Sequence, residues 1–458
     1  MILAADLGTS SLKAGLLSSD GHLVARVRVP YAHGSGGEQK EFDARDWEQA
    51  FLAALSALPS YPVKAVAISG NGPSMTACRE DGEPLAPVSL WLQKSASSSP
   101  EITSYYLPKV VSIAEHHPHA FDQARWFLSC PEWLQYRLTG EAVMVTPHKS
   151  FLPYVWDDDQ LLKSQLPPHK FPRIVTMGES CGLVTEKASA RTGLKAGIPV
   201  VAVGSDFMAA LLGSGAYAPG AVCDRAGTSE GINYCAHAPT NNPRFRELPH
   251  LVEGLWNVSV VLSSTGRVFE WYRRLTGQER RPYEATLAEV DAVGVNAHTP
   301  LFFPGRRGDV LWEFGGGGFA YLEPSHGRAE MGRAVMEAIA FAVRRGIEEL
   351  ETSHLLVDEM WVTGGQARGD VWNQMKADIT GKTLIIPEIE DAELAGAAAC
   401  ALFMEHGLHD LSHAAKGFVR PRQKVEPRPS VSQTYDEVYR RYREAASIWS
   451  SSHSIAKV

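Results

Sequence analysis

Four short polar segments of this chain carry residue types suited to phosphate chemistry. The first, Asp6-Leu7-Gly8-Thr9-Ser10, follows an apolar run and precedes a second one that starts at Leu12. Backbone N–H groups and hydroxyls at such a turn can wrap a phosphate. A carboxylate at the carboxyl end of a strand can hold Mg²⁺ through water. Taken alone, these residues read sooner as an ordinary β-hairpin. The balance shifts because Gly227-Thr228-Ser229 repeats the pattern far downstream and Gly364-Gly365 adds a third glycine-rich site. The fourth segment, Gly204-Ser205-Asp206, closes another apolar strand. Asp206 has two readings here: a general base taking a proton from a hydroxyl, or the N-cap of the helical stretch 207–212.

These residues need elements to hold them. Apolar runs at 2–7, 12–17 and 23–29, the last two joined through Ser18-Ser19-Asp20-Gly21, predict an antiparallel meander. Residues 46–58 carry Trp47, Phe51, Ala54, Leu55 and Leu58 at helical spacing, and 63–69 is rich in β-branched residues. This order predicts a mixed sheet with helices packed on it. Strands predicted at 221–223 and 231–234 flank the second Gly-Thr-Ser. Strand–Gly-Thr-Ser–strand therefore occurs twice, and the chain reads as two domains of similar build, 1–218 and 219–458, joined near Ala218-Pro219-Gly220. Further on, 328–351 reads as a long amphipathic helix and 360–363 as a strand. Asp370 is placed to cap a helix that Gly381 stops, with Trp372 in the core and Asn373 and Gln374 near its start. An Ala-rich helix at 393–405 has small residues that permit close packing. The amphipathic stretch 435–448 is expected to dock on the body, and 95–99 reads as a loop.

Composition narrows the classes. The chain has 458 residues, 44% hydrophobic and 21% charged, with a formal net charge of −8. That is ordinary globular composition for two or three domains, without the electrostatic footprint of a nucleic-acid binder. The longest apolar stretch, 392–404, contains Glu393 and is too short to span a bilayer. Met1 leads directly into a strand pattern, so no signal peptide is read. Six cysteines without a C-x-x-C spacing read as reduced and buried, which predicts a cytoplasmic protein without a membrane partner. Gly315-Gly316-Gly317-Gly318 lacks the Lys-Ser/Thr of a Walker loop. His116, His117 and His119 lack further ligands at suitable spacing beyond Glu115 and read as a solvated loop.

In register, the motifs resemble the FGGY carbohydrate kinases of the actin/hexokinase/Hsp70 superfamily, over nearly the whole chain. Asp6-Leu7-Gly8-Thr9-Ser10-Ser11-Leu12-Lys13 is similar to the family's first phosphate motif. Trp133-Leu134-Gln135-Tyr136-Arg137-Leu138-Thr139-Gly140 resembles its Y-x-x-Y-R-L-T-G helix end. Gly204-Ser205-Asp206 with Gly213-Ser214-Gly215 resembles the segment of the catalytic aspartate, and Ala226-Gly227-Thr228-Ser229 the second phosphate motif. Arg333-Ala334-Val335-Met336-Glu337 resembles the family's R-A-x-x-E helix. Thr363-Gly364-Gly365 with Trp372, Gln374, Ala377-Asp378 and Gly381 resembles its adenosine motif, and Glu393-Leu394-Ala395-Gly396-Ala397-Ala398 its E-x-x-G-A-A helix.

The resemblance implies an α/β fold of two actin-like, ribonuclease H-like domains with a nucleotide cleft between them that closes in catalysis. It implies ATP and Mg²⁺ as cofactors and a sugar or polyol, a ketose such as xylulose or ribulose first, as the phosphorylated partner. Asp6 would hold the metal and Asp206 would be the base. Gly8, Thr9, Ser10, Gly227, Thr228 and Ser229 would grip phosphates, with Lys13 on the phosphate side. Gly364, Gly365 and Asn373 would meet the adenosine. A homodimer is a family-level expectation.

The acceptor motifs depart from the branch that phosphorylates xylulose. Gly70-Asn71-Gly72-Pro73-Ser74 and Trp91-Leu92-Gln93-Lys94-Ser95 replace Gly-Gln-Met-His and Trp-x-Asp-x-Arg. Loss of groups built for particular hydroxyls costs powers of ten in discrimination. Asn71, Trp91 and Gln93 therefore stand as acceptor-binding candidates for an uncharged, hydroxyl-rich molecule. Thr146-Pro147-His148-Lys149-Ser150 and Gly305-Arg306-Arg307-Gly308-Asp309 also differ from the usual text. The altered acceptor motifs keep open a second reading, a nucleotide-binding sugar sensor or scaffold without kinase activity.

Overall fold

The computed structural model describes residues 1–31, 41–93, 101–296, 298–305, 312, 314–408 and 410–453. Lys94, Ser95, the expected loop at 95–99 and Arg306-Arg307 lie outside the described residues. The chain forms two compact units. One comprises Met1–Tyr217, Leu251–Gly254 and Asp391–Arg420; the other comprises Ala218–His250, Leu255–Glu390 and Pro421–Val458. The segment Asp391–Arg420, with its Ala-rich helix Ala392–His406, thus packs with the first unit rather than with the residues around it in sequence.

The first unit is built on a six-stranded sheet. Ile2–Leu7, Ser11–Leu17 and Leu23–Pro30 form the antiparallel meander, with Asp6 opposite Lys13. Ala65–Gly70 runs parallel to the first strand, and Pro199–Ser205 parallel to Ala65–Gly70. Ser180–Leu183 closes the edge antiparallel. Asp6 is level with Ser69, and Ser69 with Gly204, so these three strands end side by side at their carboxyl ends. Ligands of open α/β sheets bind at such ends. The first strand is buried throughout because the sheet is covered on both faces, which explains its unbroken apolar run.

The second unit repeats the plan. Val222–Ala226, Glu230–Ala236 and Trp256–Leu262 are antiparallel neighbours, and Glu359–Thr363 and Thr383–Pro387 join in parallel. Arg246–Pro249 and Pro421–Val425 form its edges. The expected duplication is therefore visible in strand order: meander, two parallel strands, antiparallel edge. Helix Arg328–Thr352 lies close against this sheet because Gly346 has no side chain; a Cβ there would stand 2.9 Å from Val260 and 3.0 Å from Ile232. The C-terminal helix Pro429–His453 docks through Tyr435, Val438 and Tyr439. Within the Gly315 to Gly318 run, Gly316 begins strand Gly316–Ala320, which pairs with Leu301–Gly305. Asp370 is the first residue of helix Asp370–Thr380 and not its cap, and Gly381 ends that helix in the left-handed conformation. All six cysteines are buried and none forms a disulfide. No helix among the described residues is long and apolar enough to cross a membrane.

Candidate functional site

In the first unit, Asp6 is buried at the end of its strand, and the Ser69 hydroxyl donates to its Oδ1 at 3.0 Å. The next residues turn tightly, with the Gly8 N–H donating to the Ser11 carbonyl. Three side chains bracket this turn. Asn71 donates through Nδ2 to the carbonyls of Leu7 and Gly8, each at 3.0 Å, and Tyr31 donates its hydroxyl to the Gly8 carbonyl. Trp91 donates through Nε1 to the Thr9 hydroxyl at 3.2 Å. Ser74 links the bracket: it accepts from the Trp91 N–H and donates to Asn71 Oδ1 at 2.6 Å. Ser10 stays exposed at the tip.

Asn71 is therefore buried, with both amide atoms bonded within the protein, so it holds the turn rather than facing solvent. Gln93 accepts the Leu90 N–H through Oε1. Its backbone carbonyl and that of Trp91 accept from the ammonium of Lys109, whose burial lowers it to about 8. Trp91 is 39% exposed and is an acceptor candidate with open surface. Lys13 is held at 3.2 Å from Asp391 and 3.4 Å from Glu393, and Arg26 also pairs with Asp391.

Asp206 opens helix Asp206–Gly213, directly after strand Pro199–Ser205. The N-cap is Ser205, whose hydroxyl accepts from the Met208 N–H. The capping alternative for Asp206 thus falls to its neighbour. The helix is held by a close crossing with Ala392–His406: a Cβ on Gly396 would lie 1.9 Å from the Ala209 carbonyl oxygen, and one on Gly213 1.9 Å from that of Ala392. Burial first, then the charges of Glu132, Asp6 and Asp206, push the Cys130 thiol well above its ordinary value. Glu132, in the same region, is wholly buried, bonded to the Ser129 hydroxyl and accepting from the Val145 N–H; burial raises its carboxyl to about 7. Burial, Glu132 and Asp206 likewise push the Tyr106 hydroxyl up. Sequence reading passed over Glu132 and Tyr106. The signal for Glu132 was a lone glutamate in an apolar stretch.

No group of three His, Cys, Asp or Glu side chains among the described residues could cage a metal. Mg²⁺ keeps several waters and takes one or two carboxylates plus phosphate oxygens. A single carboxylate oriented by Ser69 suits that habit.

In the second unit, the Gly227 N–H donates to the Ser229 carbonyl, and Thr228 and Ser229 are exposed. Two further glycines let backbone close on this turn. Gly266, in the first turn of helix Thr265–Leu275, admits the Gly227 carbonyl where a Cβ would stand 2.2 Å away. Gly364, at φ +86°, packs on Ala226, whose carbonyl would lie 2.6 Å from a Cβ. The Gly364-Gly365 segment and the 227–229 turn are therefore neighbours at the carboxyl ends of adjacent parallel strands. Gly365 has open space around it. Asn373 is buried, donates to the Ala367 carbonyl, and keeps an Oδ1 without a partner. Trp372 is core, edge-on to Phe269. Gln374 bonds Asp378 and the Glu426 carbonyl, and Asp378 pairs with Arg428. Gly266 was missed in sequence because Ser-Thr-Gly there carries no mark distinguishing it from other turns.

Comparison with known proteins adds the following. The model of the FGGY family of carbohydrate kinases, N-terminal domain, matches residues 94–213, and that of its C-terminal domain matches 225–405. A xylulose kinase of Staphylococcus xylosus is 23% identical over 96% of this chain and 99% of its own length. An autoinducer-2 kinase of Photorhabdus laumondii is 24% identical over 95% of this chain and 92% of its own length. The crystal structure of a xylulose kinase from Rhodospirillum rubrum superposes with a TM-score of 0.76 at 22% identity, covering 99% of both chains.

Proposed function

The chain belongs to the FGGY family of carbohydrate kinases and has the family's two-domain fold, and from that premise we propose how its residues carry out the transfer. The acceptor is a sugar or polyol, a ketose such as xylulose or ribulose first, and the donor is ATP. Phosphoryl transfer demands mainly positioning and neutralisation of charge, with attacking and leaving oxygens in line. The turn at Gly8, Thr9 and Ser10 offers N–H and hydroxyl donors to one phosphate, and Gly227, Thr228 and Ser229 offer the same set to another. Asp6, oriented by Ser69, would hold Mg²⁺. Mg²⁺ held there would supply positive charge that offsets the charge of the phosphates. Gly364, Gly365 and the unpartnered Oδ1 of Asn373 receive the adenosine.

Asp206 accepts the proton of the attacking hydroxyl. With Ser205 as cap, that chemistry does not compete with helix initiation. Asn71 acts on the phosphate turn through its amide, and Trp91 and Gln93 face the acceptor. Lys13 steadies the second strand through Asp391 and Glu393. The observation that carries this reading is the bracketed Asp6–Ser10 turn level with the strand that delivers Asp206.

The test is ADP release with pentuloses, hexuloses, alditols and cyclitols, for wild type and Asp206→Asn. At least one acceptor should raise turnover far above the Asn variant. No acceptor-dependent turnover anywhere in the panel would sink the proposed acceptor class. It would favour the sensor or scaffold reading.

A further inference from the structure

Beneath the second Gly-Thr-Ser turn lies a buried charge cluster with no part in the chemistry just described. Asp224 stands two residues before Ala226, and Glu230 directly follows Ser229. The strands that carry them pair across the base of the turn, Ala226 opposite Glu230. Lys376, from the middle of helix Asp370–Thr380, reaches both: its Nζ bonds Asp224 Oδ2 at 2.6 Å and also bonds Glu230 Oε1. All three side chains are fully buried. We propose that Lys376 is a positioning residue for phosphate binding, its ammonium tying the strand that enters the 227–229 turn to the strand that leaves it. This rests on reading that turn as a phosphate grip.

The charge count gives the cluster a second property. Two carboxylates around one ammonium leave one uncompensated negative charge, and an unpaired buried charge is strongly disfavoured. Asp224 Oδ1 and Glu230 Oε2 are otherwise without partners. Burial first, then the Asp224 charge, raise the Glu230 carboxyl to about 8, against the opposing pull of Lys376. A proton on Glu230 therefore leaves the cluster neutral near pH 7. Leu262 opposes Glu230 on one neighbouring strand, and Val362 opposes Asp224 on another. Arg225 leaves the opposite face of its strand by alternation. Above about pH 8 the proton leaves. Two carboxylates then repel at the base of the turn, and a negative charge appears under the site where phosphate would sit.

The experiment measures binding of a non-hydrolysable ATP analogue with Mg²⁺ to the full-length protein by calorimetry, from pH 6.5 to 9.5. Wild type, Glu230→Gln and Lys376→Met are compared. Wild-type affinity should fall above about pH 8, by at most about tenfold per pH unit as linkage allows for one proton. Glu230→Gln should flatten that limb, and since the ligand's own titration is common to both proteins, the difference belongs to the cluster. Lys376→Met should weaken binding at every pH while keeping a cooperative melt. If that variant does not fold, the Glu230→Gln curve alone decides. Superimposable pH curves for wild type and Glu230→Gln would overturn the inference and leave the kinase reading intact. Absence of nucleotide binding at every pH would overturn both.

Discussion

Substituting Gly396 by Ala tests whether a single helix crossing sets the position of Asp206. A Cβ at 396 would stand 1.9 Å from the Ala209 carbonyl oxygen and 2.7 Å from its carbon, both backbone atoms that no rotamer change can move aside. Ordinary contact needs more than 3 Å, so helices Ala392–His406 and Asp206–Gly213 have to part by about 1 Å or more. Overpacking of this kind costs about 1–3 kcal/mol, reduced by the roughly 1 kcal/mol that Ala gains over Gly in a helix interior. For a unit of this size the net cost, about 0–2 kcal/mol, lowers Tm by up to about 8 °C. Asp206 lies one turn from Ala209, so it moves with the displaced helix. Misplacement of about 1 Å at a reacting centre can cost on the order of 10²-fold in rate. The assay is a thermal melt together with steady-state kinetics on whichever acceptor the panel identifies, and kcat should fall far more than KM for ATP rises. Gly213→Ala forces the same separation from the other side, its Cβ lying 1.9 Å from the Ala392 oxygen. The double variant should therefore cost clearly less than the sum of the singles. Unchanged Tm and kcat in Gly396→Ala, or strict additivity in the double, would refute the reasoning.

Asp206→Asn should lower kcat by about 10²–10⁴-fold, the span of general-base catalysis, while Tm stays near wild type because Ser205 keeps the cap; a large fall in Tm would mark the residue as structural. Asn71→Ala removes two donors to the turn carbonyls and the acceptor of Ser74, and should cost about 1–2 kcal/mol and raise KM for ATP more than KM for the acceptor. The opposite ordering of the two KM effects would return Asn71 to the acceptor. Glu132 keeps its proton in the folded state up to about pH 7, whereas an unfolded glutamate loses it near 4.5. The folded protein then binds more protons across that window, so this group's contribution to stability falls as pH rises from 4.5 to 7. In Glu132→Gln the fall should be smaller, read from urea midpoints at pH 5 and pH 7.5, and equal falls in both proteins would count against the buried-acid assignment.

Much of this molecule follows from local sequence. The meander, the strand–Gly-Thr-Ser–strand repeat and the glycine stop at 381 are set by residues within a few positions of one another. Hydrophobic period and turn chemistry act over that same range. The two-unit plan was legible for that reason, as were the placement of Asp206 after a strand and the burial of Trp372. Tertiary structure decided the rest. Asp391–Arg420 packs with the first unit because Gly396 and Gly213 let two helices cross at backbone distance and because Arg26 and Lys13 meet Asp391. Asn71 turned inward because the carbonyls of Leu7 and Gly8, some 60 residues away in sequence, offered its amide partners. The Asp224–Lys376–Glu230 cluster joins groups about 150 positions apart. Burial and strand register determine which polar groups face one another in these cases, and neither is a property of any local stretch of chain.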